Sequence, residues 1–177
     1  MEKLWSKILK MNIVKLYVLA LLFHFTWSFG VGIILYLSGA EFSQHVASNS
    51  DFVNSLFLIP MCAFAEELIF RWLPMVLFFT GLGLLSKSQT FGERRRKEIE
   101  KYGVAFVVIT SAIIFGLVHG NAFNILLQGV SGVIFSMFYL RTLYRRKNAG
   151  KKDRLQKYPV LSSTIYHTIS NSILIVL

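Results

Sequence analysis

The chain is poor in several things, and each shortage excludes something. One cysteine, Cys62, among 177 residues excludes an internal disulfide and offers no metal-binding cysteine pattern. No internal repeat and no low-complexity segment is present. Neither end shows a prenylation, myristoylation or retention signal. Acidic residues are scarce, 9 against 19 Lys and Arg, for a formal net charge of +10. Such an excess can mark a nucleic-acid binder. Here the basic residues cluster between apolar runs, so no nucleic-acid partner is expected.

Apolar residues are abundant, at 54% of the chain with a mean hydropathy of +0.55. Several runs exceed the roughly 20 residues that cross a bilayer. The expectation is an all-α polytopic bundle in a lipid bilayer. Its segments are residues 16–37, 52–85, 103–119, 122–144 and 159–177. The basic stretch before the first run has no small-residue cleavage site, and the run is too long for a signal-peptide core, so a retained span is expected. The second segment is too long for one straight crossing at about 1.5 Å per residue. Pro74 is expected to end the crossing helix, leaving residues 75–85 as a re-entrant or interfacial piece. About five spans result, with 1–51 as first helix and outer loop and 52–177 as core.

The linkers alternate in charge. Residues 1–15 carry Lys3, Lys7, Lys10 and Lys15. The first linker has Glu41, Asp51 and His45 but no Lys or Arg. The second is basic through Lys87, Arg94, Arg95, Arg96, Lys97 and Lys101. The third, Gly120 and Asn121, is uncharged, and the fourth is basic from Arg141 to Lys157. Basic linkers face the cytoplasm, which gives an inner N-terminus and an outer C-terminus.

Glu66, Glu67 and Arg71 interrupt the second apolar segment. Insertion scales charge about 2.5–3.5 kcal/mol for an ionised side chain at a helix centre, so intramembrane ionisable residues mark function by default. Glu67 and Arg71 stand four apart, acid first, the favourable order for a pair along one helix. Glu66 points about 100° away and needs another partner. His119, His167 and Asn171 are the candidates at similar depth, so the three segments are expected to converge with Glu66 facing both histidines. A carboxylate beside imidazoles suits water activation, and an amide or imidazole N–H suits a developing oxyanion. Taken singly, Glu67–Arg71 reads as an internal salt bridge, His119 as a helix-end residue and His167 with Asn171 as interhelical contacts. Phe115 and Trp27 read as packing, and His24 as a polar contact inside the bundle.

In order, E-E-x-x-x-R (Glu66, Glu67, Arg71), F-x-x-x-H (Phe115, His119) and H-x-x-x-N (His167, Asn171) resemble the CPBP intramembrane endopeptidases. That family joins CAAX proteases to bacteriocin-processing enzymes and is also called Abi, or type II CAAX prenyl endopeptidases. The resemblance covers residues 52–177. It implies a membrane-embedded protease in which Glu66 activates water with His119 beside it. His167 and Asn171 would stabilise the oxyanion, and Glu67 and Arg71 would hold the motif helix. It implies a peptide or protein substrate in or near the membrane. The short chain resembles the bacterial members, which are linked to bacteriocin immunity or peptide maturation in the plasma membrane. No cofactor is favoured. Zinc stays open, with Glu66, His119 and His167 as ligands and Glu67 as base. A non-catalytic immunity or interaction protein and a proton-coupled transporter are the rival readings. Counted from the linkers, His119 lies about 10 Å from the depth of Glu66. Either its helix starts early, near Lys97, or its turn is buried at mid-membrane.

Overall fold

The computed structural model describes residues 2–39, 52–85, 92–120, 122–148 and 159–176, and the regular structure in them is helical throughout. His45 and the basic positions from Lys151 to Lys157 lie outside the described residues. The helices are α1 (Glu2–Lys10), α2 (Ile13–Leu37), α3 (Phe52–Glu67), α4 (Leu73–Leu85), α5 (Glu93–Val118), α6 (Val130–Asn148) and α7 (Pro159–Val176). A π-helical segment, Leu68–Trp72, joins α3 to α4, and another, Ile125–Gly129, leads into α6. Four helical stretches are long and apolar enough to cross a membrane: Ile13–Leu37, Leu58–Leu85, Glu93–Val118 and Ile125–Arg145. The protein is a multi-pass helical bundle.

The fifth apolar segment is α7, whose polarity has a pattern. Ser162, Ser163, Thr164, His167 and Ser170 are buried, whereas Leu161, Ile165 and Ile169 are exposed. The exposed trio recurs every four residues and forms one outward-facing apolar stripe. The polar side of the helix faces the bundle, against α3 and α6.

Pro74 does not end the second helix. It is the second residue of α4, and α3, the π-helical segment and α4 run on without a break. The π turn supplies the physical reason. Leu73 N–H bonds the Leu68 carbonyl five residues back, so the turn ahead of Pro74 is wider than an α turn. A wider turn relieves the clash between the proline ring and the preceding carbonyls, and π segments of this kind commonly bend a helix. Residues 75–85 are therefore a continuation, not a re-entrant piece. The resulting helix is about 50 Å long and must tilt or protrude.

Two elements differ from their sequence reading where α1 meets α6. The basic N-terminal flank contains α1, and Ile8 and Met11 pack on the main apolar core of Leu16, Ala20, Phe115, Ile134, Phe135, Phe138 and Tyr166. Arg141 is not a solvated linker charge. It is fully buried, its Nε donates to the Ile8 carbonyl at 3.2 Å, and its Nη2 donates to the Met11 carbonyl. Carbonyls at a helix C-terminus lack intrahelical donors and attract cations, which explains the pull on Arg141.

The seam between α5 and the second π segment is built from small residues. A Cβ on Gly116 would stand 2.6 Å from Ile125 Cα and 2.9 Å from the Asn124 carbonyl oxygen. A Cβ on Gly129 would stand 3.1 Å from the Ala112 carbonyl oxygen. Close backbone approach of this kind is how membrane helices gain packing when lipid supplies no hydrophobic drive. Gly116→Ala is expected to destabilise the fold by about 1–3 kcal/mol, because backbone must move. Gly32, with nothing within 4 Å of its missing Cβ, is the control. Gly32→Ala should be neutral or stabilising, and thermal unfolding in detergent reads both.

Candidate active site

Glu66 and Glu67 are the last two residues of α3, directly before the π segment. Glu67 is fully buried and Arg71 is 1% exposed. Arg71 Nη1 lies 3.3 Å from Glu67 Oε1. The same oxygen accepts from His167 Nδ1 at 3.0 Å. One carboxylate oxygen thus holds an arginine from its own helix and a histidine from α7. The rest of the guanidinium lies over aromatic faces, with Cζ 4.4 Å from the Phe115 ring centroid and 5.1 Å from that of Phe135. A desolvated cation–π contact contributes about 2 kcal/mol, so these rings replace much of what water would supply.

Glu66 is turned the other way and is 28% exposed. Its Oε2 lies 3.4 Å from His167 Nε2, and its Oε1 lies 3.9 Å from His119 Nε2. The three segments that carry the motifs converge, and His119 reaches Glu66. The depth offset is resolved because α5 begins at Glu93, ten residues ahead of the apolar segment. Salt bridges such as Arg94–Glu98 at 3.3 Å link residues four apart along its exposed first turns. His119 caps the C-terminus of α5.

Hydrogen bonds fix both imidazoles. His119 Nδ1 lies 2.6 Å from the Phe115 carbonyl oxygen, which can only accept, so Nδ1 carries a proton. The His119 carbonyl accepts from Asn124 Nδ2 at 2.7 Å. His167 Nδ1 donates to Glu67, and its ring stacks on Phe135 with centroids 4.1 Å apart. With each Nδ1 protonated, a neutral ring presents the bare lone pair of Nε2 to Glu66. Carboxylate and two imidazole lone pairs are all acceptors. The arrangement therefore favours a shared proton or a bound proton donor between them.

Phe115 is fully buried and is more than filler. Its ring touches Arg71, His119 at 4.3 Å and His167 at 5.9 Å, the last edge-on. Asn171 stands one turn beyond His167, half-buried and outside these contacts. Three contributors had no signal in the sequence: Phe135, Asn124 and the bond from His167 to Glu67. A lone Phe in an apolar helix and an Asn in a turn look like any others, and Glu67 already had a partner in Arg71. A cavity of about 630 Å³ between α4, α5 and α6, lined by Met75, Phe79, Glu100 and Tyr139 among others, contains none of the motif residues.

Glu66, His119 and His167 have the donor chemistry of a zinc site. Glu66 lies 3.4 Å from His167 Nε2 and 3.9 Å from His119 Nε2, and among the described residues no group of three His, Cys, Asp or Glu side chains is drawn together closely enough for a metal.

Apolar helices closed around a carboxylate–imidazole centre place the chain among membrane-embedded enzymes. A family model described as type II CAAX prenyl endopeptidase Rce1-like matches residues 48–173, and the chain belongs to that family of membrane-embedded proteases. No curated protein matches it. No solved structure matches it.

Removing the Glu67 carboxylate leaves the buried Arg71 charge without its anion. Glu67→Ala is expected to cost about 3–5 kcal/mol, and Glu67→Gln with Arg71→Met should recover most of that loss. Unfolding titrations from mild detergent into a denaturing one compare the variants.

Proposed function

We propose that this chain is an endopeptidase in which Glu66 activates the attacking water. The observation that carries the reading is the convergence of three acceptors, the Glu66 carboxylate and the Nε2 atoms of His119 and His167, on a partly open position. A water there has two protons to give and three acceptors to receive them.

In the reaction Glu66 takes one proton from the water, and the oxygen attacks the carbonyl carbon of the scissile bond. The C–N bond then breaks, and Glu66 returns the proton to the departing amine. General base–acid transfer by a positioned group supplies about 10²–10⁴-fold. The oxyanion falls to His167 and Asn171, consistent with the family's motif. Glu67 on Nδ1 orients the His167 ring and stabilises it when Nε2 holds the proton that it shares with Glu66 before water is activated, and that Nε2–H donates to the oxyanion. His119, held by the Phe115 carbonyl, lines the opposite side of the water.

The basic inner flanks of α1, α2, α5 and α6 support a cytoplasmic N-terminus and a plasma-membrane location. The substrate is a peptide presented at or within the bilayer, as in a prenylated CAAX tail or a small membrane-active peptide.

The test is cleavage of a fluorogenic peptide ending in a farnesylated CAAX tail by purified protein. Glu66→Gln is expected to lower kcat by about 10²–10⁴-fold with the fold intact. Chelator treatment is expected to leave wild-type activity unchanged. Equal activity of wild type and Glu66→Gln defeats the reading. Loss on chelation with rescue by zinc replaces the metal-free mechanism.

A further inference from the structure

Helix α2 precedes the segment that the family model matches, and its lateral surface is almost wholly apolar. Most of it faces outward, with Val14, Val18, Leu22, Phe29 and Ile34 exposed. One narrow stripe, Leu16, Ala20, His24, Val31 and Leu35, is buried. Three side chains along that side make polar contacts with the rest of the bundle, and each reaches a different part of the site's surroundings.

Trp27 Nε1 donates to the Leu126 carbonyl at 2.6 Å. Leu126 lies two residues past Asn124, which holds the His119 carbonyl. His24 Nε2 meets Ser131 Oγ at 2.7 Å, and Ser131 Oγ also bonds the Leu127 carbonyl at 3.0 Å. A hydroxyl has one proton, and the carbonyl must receive it, so His24 Nε2–H is the donor to Ser131. Ser131 stands one turn before Phe135, the ring stacked on His167. Tyr17 donates to the Ser162 carbonyl at 2.9 Å, on α7 five residues before His167.

Helices in lipid associate through packing and a few polar contacts, since lipid tails are as apolar as their side chains. The polar contacts of α2 end on the π segment that follows the His119 turn, on the helix bearing Phe135 and on the helix bearing His167. We infer that Trp27 and His24 are positioning residues, and that α2 is an external clamp setting the distance of His119 and His167 from Glu66. This rests on the reading of those residues as the reactive centre.

Two substitutions isolate the clamp. Trp27→Phe keeps a ring and deletes the donor. His24→Leu deletes its donor, and His24→Gln restores an N–H at similar reach. Since misplacement by about 1 Å can cost 10²-fold, kcat per folded molecule on the farnesylated peptide is expected to fall about tenfold or more in Trp27→Phe and His24→Leu. KM should change little, and His24→Gln should recover most of the loss. Amide hydrogen exchange is the second readout. Trp27→Phe should speed exchange at residues 122–126 and leave residues 104–112 of α5 unchanged. Activity that falls only in proportion to the folded fraction overturns the inference, as does exchange that is unchanged at the turn or raised equally everywhere. A wild type that cannot cleave the peptide defeats the proposed function instead, and the exchange pattern alone then decides the clamp.

Discussion

One oxygen, Glu67 Oε1, ties the centre of this protein together. It takes the Arg71 guanidinium from one side and His167 Nδ1 from the other. Neither the Glu67 carboxylate nor the Arg71 guanidinium would be tolerable alone at that burial, where desolvation costs several kcal/mol per ion. Paired with Glu67, the Arg71 guanidinium lies over the Phe115 and Phe135 rings, and those rings form the walls against which both histidines are set. Because His167 is oriented, its far nitrogen meets Glu66. The fully buried acid holds the arginine and one histidine, and its partly exposed neighbour meets both imidazoles.

Both π-helical segments begin immediately after residues of this centre. Leu68–Trp72 follows Glu67, and Ile125–Gly129 follows Asn124. Irregular turns of this type often accompany functional sites, where they re-aim side chains and break the regular register. Both pack against α5, where Ala112, Phe115 and Gly116 provide the small and flat surfaces that such irregular backbone needs. Each segment turns one residue fully inward, Arg71 and Gly129, while Ile69, Trp72 and Leu126 face outward.

Much of this was legible in the residues. Apolar runs and basic linkers outlined the helices, and charges stranded in apolar sequence pointed to Glu66, Glu67, Arg71, His119 and His167. The pairing of Glu67 with Arg71 followed from their spacing alone. Partnerships between helices were harder to read, because they depend on rotation and depth. The bond of His167 to Glu67 as well as Glu66 was hidden for that reason. So was the burial of Arg141, which looks like a linker charge until the end of α1 brings the Ile8 and Met11 carbonyls to it. Proline punctuation misled at Pro74, where a π turn absorbs a clash that normally ends a helix. Trp27 illustrates the same limit: its ring reads as packing, and only its placement beside the Leu126 carbonyl gives the indole N–H a purpose.

The reversed polarity of α7 has a consequence for how the chain is made. Its buried side carries Ser162, Ser163, Thr164, His167 and Ser170, and its outward stripe is Leu161, Ile165 and Ile169. A helix entering the bilayer alone would expose that side to hydrocarbon; Ser163 and Ser170 bond carbonyls of their own helix, but the His167 ring would lose its carboxylate partners. Tyr17, Glu67 and the aromatic wall of α6 supply the surroundings that make the polar side acceptable. The last helix is therefore a client of the helices made before it. Its placement is a docking event, tied to assembly of the centre.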